Sequence, residues 1–345
     1  MKAAVYYGPR DIRLEDRPAP RPTGENILVR VEACSICGTD VKLYTKGNPR
    51  VTAPRIPGHE IYGLVEHVPR SARGLAPGDP VLIAPAMGCG LCRECLTGAT
   101  NLCAELETIG IDCDGGFAEY VEVPLRARAN IVKVPKGILP EHVPLAEPLA
   151  CCINGQEQVQ IRLGETVAVI GMGPIGSLHV MLAKLQGATQ IIAVDIAPER
   201  LRLAAEVGAT HTVCSAEADP VQAVYDLTGG EGADVVIVAA PVPQVQAQGL
   251  AMCRRRGRVL FFAGLPHGTT VNLDTNLIHY RQVRIEGSHA STAAQNALAL
   301  RLIASGAVPV GRLVTGVLPL DRVNEAFERA ISGQDLKIVV RPSAN

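Results

Sequence analysis

Through residues 1–150 the apolar positions fall in short, β-branched, partly alternating runs at 27–33, 63–68, 80–84 and 118–123. Turn clusters such as Ala76-Pro77-Gly78-Asp79 interrupt them, and Met1-Lys2-Ala3-Ala4-Val5-Tyr6-Tyr7 is a further strand-like run. Short strands bounded by frequent Gly and Pro predict a β-rich barrel or sandwich. From 151 the pattern changes. Continuous apolar runs at 166–170, 190–194, 210–213, 233–239 and 258–264 alternate with helix-like segments through Gln186 and at 198–207, 220–227 and 243–254. Apolar strands alternating with helices predict a parallel sheet covered on both faces. Helix-like 292–305 and 323–331 and a strand at 337–340 follow. The expected organisation is a β-rich domain over 1–150, an α/β domain over 151–288, and a return of 289–345 to the first.

The length, 345 residues, suits two domains rather than one core. Apolar residues make up 47% and charged residues 19%, which excludes wholesale disorder. Lys and Arg total 33 against 34 Asp and Glu, so no basic excess exists to neutralise a nucleic acid backbone. The first residues lack the apolar core of a secretion signal, and no run reaches the roughly 18 apolar residues of a membrane span. Eleven cysteines in such a chain point to thiols and metal ligation rather than disulfides. The expectation is a cytoplasmic protein whose partner is a small molecule, neither nucleic acid nor membrane.

The candidate chemistry centres on Gly58-His59-Glu60, downstream of Cys37 in Cys37-Gly38-Thr39-Asp40. Sulfur, nitrogen and oxygen donors from Cys37, His59 and Glu60 suit a catalytic zinc, which takes three protein ligands and keeps a fourth position open. A second carboxylate, Glu147, follows in Ala146-Glu147-Pro148-Leu149. Cys89, Cys92, Cys95 and Cys103, within a lobe at 86–104, form a C-x2-C-x2-C-x7-C cluster of the kind that closes a tetrahedral structural zinc. An iron–sulfur cluster is the rival, because C-x2-C-x2-C also opens a ferredoxin run. Cys34, Cys214 and Cys253 read as small buried hydrophobes; Cys113, Cys151 and Cys152 read the same way or as pocket lining. In the second domain, Gly171-Met172-Gly173-Pro174-Ile175-Gly176 follows a strand, opens a helix and is followed by Asp195 at the end of the next strand. That context makes the glycine pattern a dinucleotide fingerprint. Gly171 permits the turn, Gly173 backbone approach to a pyrophosphate, and Gly176 close packing; Asp195 would accept from ribose hydroxyls and repel a 2′-phosphate.

Taken together with Gly115-Gly116-Phe117-Ala118-Glu119-Tyr120 and Glu147-Pro148-Leu149, these motifs resemble the zinc-containing medium-chain dehydrogenase/reductase family over essentially the whole chain. The likeness is strongest to its sorbitol (L-iditol) and polyol dehydrogenase and L-threonine 3-dehydrogenase branch. The resemblance implies a GroES-like β-barrel catalytic domain with a Rossmann doubly wound domain, two zinc ions per chain, NAD, and a homo-oligomer, a tetramer rather than a dimer. It gives Cys37, His59 and Glu60 as catalytic zinc ligands and Glu147 as a carboxylate that can exchange with water. Thr39 becomes the hydroxyl on the substrate oxygen and Asp40 the acid that orients His59. Asp195 and Arg200 would hold the adenosine half of NAD, and Ala263-Gly264-Leu265 and Gly287-Ser288 would meet the nicotinamide. Lys42 departs from the pattern, standing where many relatives carry a relay histidine; it either replaces that relay or is a solvated lysine.

The expected activity is zinc-dependent hydride transfer from a secondary alcohol, a polyol or sugar alcohol, to NAD, giving a ketone. The alternatives are an L-threonine 3-dehydrogenase, a 2,3-butanediol-type alcohol dehydrogenase, a zinc-free quinone reductase, and a nucleotide-binding relative without chemistry. Aromatic residues at 3%, with no Trp, argue against a large aromatic-walled pocket. A threonine carboxylate would require a positioned cation, for which Arg281, Arg284 and Lys42 are the candidates.

Overall fold

The computed structural model describes residues 1–21 and 26–342. The chain divides into two compact units, Met1–Ala150 with Ala290–Asn345, and Cys151–His289. The boundary at the second junction lies one residue beyond the 288 expected from the apolar pattern.

The first unit is built on a seven-stranded sheet. Its strand order is Val314–Pro319, Lys337–Arg341, Asn26–Ser35, Glu60–His67, Pro80–Ile83 and Ile131–Lys133, with Tyr120–Pro124 also pairing on Asn26–Ser35. Asn26–Ser35 is nearly all buried, with Ile27, Val29 and Val31 in the core beside Ile61, Val81 and Phe117. The closing segment joins this core because the helix Val323–Ser332 contributes Phe327, fully buried. Its ring meets Tyr44 at 5.0 Å and Phe117 edge-on at 5.8 Å. Such aromatic pairs are worth about 0.5–1.5 kcal/mol beyond their buried area. The strand Lys337–Arg341 is thereby carried in beside Asn26–Ser35, with Val339 opposite Ser35.

The second unit is a six-stranded sheet ordered His211–Cys214, Gln190–Asp195, Thr166–Ile170, Ala233–Val238, Cys253–Phe261 and Arg284–Gly287, every pairing parallel. Numbered along the chain this order is 3-2-1-4-5-6, the doubly wound dinucleotide topology, whose ligand crevice lies beyond the carboxyl ends of strands 1 and 4. The central strands bury almost every residue, as continuous apolar runs require, whereas the edges at His211–Cys214 and Arg284–Gly287 are partly exposed.

Several elements differ from the sequence reading. Gly38–Lys46 and Ala146–Val159 are helices that the sequence reading did not include. Pro148 is tolerated in the first turn of the latter because its missing N–H would have no helical partner there. Thr275–Arg281 buries none of its residues, so it left no apolar periodicity to read. The helix Pro243–Met252 stops two residues short of Arg254, and Cys253 opens the next strand at once, opposite Ala233.

Candidate active site and cofactor loops

Cys37, His59 and Glu60 come together in the first unit, with one donor atom from each lying within 4.8 Å of the others. They are carried by different elements. Cys37 is the N-cap of the helix Gly38–Lys46, and Glu60 is the first residue of its strand. One buried carboxylate organises the first two. Asp40, 2% exposed, accepts the Cys37 backbone N–H at 2.9 Å through Oδ2 and lies 3.4 Å from His59 Nδ1 through Oδ1. The contact with the ring is electrostatic, since Nδ1 has no aligned hydrogen-bond partner. Burial disfavours the imidazolium, but Asp40 and Cys37 outweigh it and hold the His59 pKa well above the ordinary value. Anions packed that closely around a buried imidazole attract a cation, so the donor set fits a divalent metal.

Glu60, fully buried, carries two partners that the sequence reading missed. Ser35 donates its hydroxyl to Oε2. Lys337, itself 4% exposed, places Nζ 2.7 Å from Oε1 and 2.5 Å from Oε2, and donates to the Ile36 carbonyl at 2.9 Å. Burial works against the ammonium, but Glu60, Cys37 and, further down the order, Glu147 outweigh it and raise the Lys337 pKa. Lys337 lies 277 residues from Glu60 along the chain, so no local pattern signals the pair.

Glu147 is buried in the first turn of the helix Ala146–Val159. It is outside the three-residue cluster but close enough to act on Lys337. Thr39 is half-buried and Lys42 exposed, three residues apart on the helix Gly38–Lys46 and therefore on one face.

Cys89, Cys92, Cys95 and Cys103 converge with their sulfurs within 4.8 Å of one another. Backbone N–H groups point at the sulfurs: Leu91 and Cys92 donate to Cys89, Cys95 to Cys92, and Cys89 to Cys103, at 3.3–3.5 Å. The donors on Cys89 lower its thiol to about 7. On Cys92 the Cys95 N–H favours the thiolate, but desolvation and the neighbouring thiols outweigh it and push the group up to about 12. Four thiolates cannot coexist at this spacing without a cation, which is the fit expected of a closed metal site. None of the eleven cysteines is in a disulfide. Cys34, Cys152 and Cys253 are buried as read, whereas Cys214 is only half-buried, with Sγ 3.7 Å from the Ile196 carbonyl, and corrects the expectation of a core residue.

In the second unit the fingerprint forms the turn between Thr166–Ile170 and the helix Pro174–Leu185, with Gly173 as N-cap and Pro174 and Ile175 opening the helix. Gly171 has φ +95°. A Cβ on Gly176 would sit 1.8 Å from the Gly171 carbonyl oxygen, so the close approach is between turn and helix, while the position of a Cβ on Gly173 faces open space. That opening beside a helix N-terminus fits a pyrophosphate. Asp195 is buried and ties the turn to the second strand, accepting from Met172 N at 2.5 Å and Ala197 N at 2.9 Å. Arg200 is half-buried in the following helix. Ala263 and Leu265 are half-buried, and Gly264 and Gly287 exposed; Ser288 Oγ is buried without a hydrogen-bond partner.

The chain matches the family models for the alcohol dehydrogenase GroES-like domain over residues 23–136 and for zinc-binding dehydrogenase over 174–305. It is 37% identical to L-threonine 3-dehydrogenase of Bacillus subtilis (strain 168), with 95% of this chain and 94% of that one covered. It is 33% identical to sorbitol dehydrogenase of the same organism, over 99% of this chain and 98% of that one. Among solved structures, one from Sinorhizobium meliloti 1021, described as a zinc-binding dehydrogenase and bound to NADP, superposes with a TM-score of 0.93 at 36% identity, covering 99% of each chain. No helix among the described residues is long and apolar enough to cross a membrane. With a GroES-like unit, a Rossmann-type parallel sheet and likeness along its full length, the chain belongs to the zinc-binding dehydrogenases of the alcohol dehydrogenase family, oxidoreductases that act on alcohols with zinc and a nicotinamide dinucleotide.

Proposed function

We propose that this protein oxidises a secondary hydroxyl of a polyol or sugar alcohol to a ketone, passing the hydride to NAD. The observation that carries the reading is the convergence of half-buried Cys37 with buried His59 and Glu60, a mixed donor set in the same chain as a complete dinucleotide turn. Zinc held there supplies Lewis acidity that lowers the pKa of a bound hydroxyl, and the nicotinamide supplies the hydride acceptor. Asp40 holds Cys37 and the His59 ring in place. With Nδ1 facing Asp40, Nε2 is the ring nitrogen left for the metal. Thr39 would take the substrate proton, and exposed Lys42 on the same helical face would pass it to solvent. Glu147 would serve as the exchangeable carboxylate. The turn Gly171 to Gly176 would hold the pyrophosphate, Asp195 and Arg200 the adenosine, and Ala263, Gly264, Leu265, Gly287 and Ser288 the nicotinamide. Asp195 Oδ atoms already accept backbone N–H groups, and a 2′-phosphate beside that carboxylate is disfavoured, which supports NAD over NADP.

Substrate choice rests on the cations. An amino-acid substrate needs one free to hold its carboxylate. Arg281 donates to the Tyr225 hydroxyl at 2.5 Å and to the Ala251 and Cys253 carbonyls, and Lys337 is engaged with Glu60. The engagement of these two supports an uncharged polyol, while the other two candidate cations, Lys42 and Arg284, are exposed and together with the likeness to L-threonine 3-dehydrogenase favour the second reading. Following NADH formation with sorbitol, L-iditol, xylitol, galactitol, inositols, 2,3-butanediol and L-threonine separates them. Selective turnover of L-threonine or of simple primary alcohols overturns the polyol assignment, a higher kcat/KM with NADP overturns the cofactor choice, and a His59→Ala protein with wild-type turnover overturns the site. A homotetramer in the cytoplasm is the accompanying proposal, tested by sedimentation of the purified protein and fractionation of cells.

A further inference from the structure

We propose that Lys337 is a positioning residue that competes with the metal for Glu60, keeping this carboxylate a one-oxygen, exchangeable ligand and leaving a coordination position to substrate. The inference rests on the reading of Cys37, His59 and Glu60 as the metal site. Its physical basis is the set of groups placed against the two oxygens of Glu60. Each carboxylate oxygen accepts about two hydrogen bonds. Lys337 Nζ donates to Oε1 and lies 2.5 Å from Oε2 as an ion pair, and Ser35 donates to Oε2. Each oxygen thus already carries a donor, and a metal that approached both oxygens at once would meet the ammonium lying against both, which favours ligation through one oxygen.

The ammonium is not free to swing away. It is anchored on the Ile36 carbonyl at 2.9 Å, within a residue of Cys37 in sequence, and its strand is fixed by pairing of Val339 with Ser35 and Val340 with Cys34. The same short stretch, Cys34 to Cys37, thus carries a metal-ligand candidate, the hydroxyl on Glu60 and the anchor for Lys337. A fixed positive charge on Glu60 also offsets part of the negative charge that Cys37 and Glu60 present to the metal. The metal then stays more electron-withdrawing toward a fourth ligand than it would with two uncompensated anions.

Removing the competitor should therefore strengthen metal binding and weaken turnover, the opposite of what loss of an ordinary structural ion pair does. The experiment strips the metal, then titrates Zn2+ or Co2+ against a chelator in the wild type, Lys337→Met, Lys337→Arg and, as a blank for the four-cysteine lobe, His59→Ala. Lys337→Gln, which keeps donors and removes charge, takes the place of Lys337→Met if that variant does not fold. The expected result is metal held about tenfold or more tighter at the His59-dependent site of the charge-removing variant, from the strength of a hydrogen bond to a charged group. The visible absorption of the cobalt form should shift with the stronger carboxylate ligation, kcat should fall more than KM changes, and Lys337→Arg should return all three toward wild type. Unchanged or weaker metal affinity in the charge-removing variant, or a cobalt spectrum identical to wild type, overturns the role of Lys337. A His59→Ala protein that binds as much metal as wild type instead overturns the metal-site reading itself, whatever Lys337 does.

Discussion

Asp40→Asn is the substitution that most directly probes how the mixed site is assembled. The side chain keeps its shape, and the burial of Asp40 leaves no room for another arrangement. The Cys37 N–H, a donor 2.9 Å from Oδ2, requires an acceptor, so the amide oxygen must take that place. The amide nitrogen then occupies the position of Oδ1, 3.4 Å from His59 Nδ1. As a donor it selects the tautomer with Nδ1 unprotonated and the proton on Nε2, the nitrogen a metal requires. The carboxylate favours the reverse tautomer and adds negative charge. Loss of such an outer partner typically costs about 10- to 100-fold in metal affinity or activity, or about 1.4–2.7 kcal/mol. The measurement is zinc affinity by chelator competition together with kcat/KM, with thermal unfolding as a check on the fold. A variant that folds normally and matches wild type in both would refute the argument that Asp40 sets the imidazole.

Cys92→Ser removes one of four converging thiols and should reduce bound zinc from two ions per chain to one while exposing 86–104 to protease; two retained ions would contradict a closed four-thiolate site. Gly176→Ala forces the turn away from the Gly171 carbonyl, 1.8 Å from the new Cβ, at a cost of about 1–3 kcal/mol, and should weaken NADH binding at least tenfold without changing zinc content. His179 is buried, edge-on to Phe262 at 4.6 Å, and burial lowers its pKa to about 3. The unfolded chain then binds the extra proton between about pH 6.5 and 3, so stability falls as pH drops through that window, by about 2 kcal/mol from pH 7 to 5. Denaturant unfolding of His179→Leu should lack that fraction of the pH dependence, and an unchanged slope would count against it.

How far a feature could be read in advance tracks how local its cause is. The helices at Pro198–Val207 and Pro220–Leu227 were bounded correctly because a proline opens each at a position where its missing N–H does no harm. The strand Thr166–Ile170 was equally plain, a buried apolar run stopped by Gly171. The strand Arg284–Gly287 went unread because an edge strand with exposed ends lacks that run. Polar residues in the core were invisible for another reason. Gln156 donates to the His179 carbonyl at 2.9 Å and lies 3.1 Å from its Nδ1, and exposed Gln186 donates to Gln156 at 2.7 Å, so two buried polar side chains are tied together between helices. Polarity alone would have put Gln156 and His179 at the surface.

The two sulfur-bearing sites differ in the same respect. The four-thiol lobe draws all its ligands and its N–H donors from Cys89 to Cys103, so its spacing could be recognised and its geometry requires little beyond its own loop. The mixed site draws on a helix cap at Cys37, a strand start at Glu60, a helix at Glu147 and a closing strand at Lys337. The motif showed which donors were present, but the charge that balances them arrives only when Phe327 and its helix dock and bring Lys337 beside Glu60. Contacts of such sequence separation form only with the unit as a whole, because their loop closure must be offset by the full core. Zinc in the lobe therefore reports on a short loop, whereas a competent mixed site reports that the first unit has closed around its last strand.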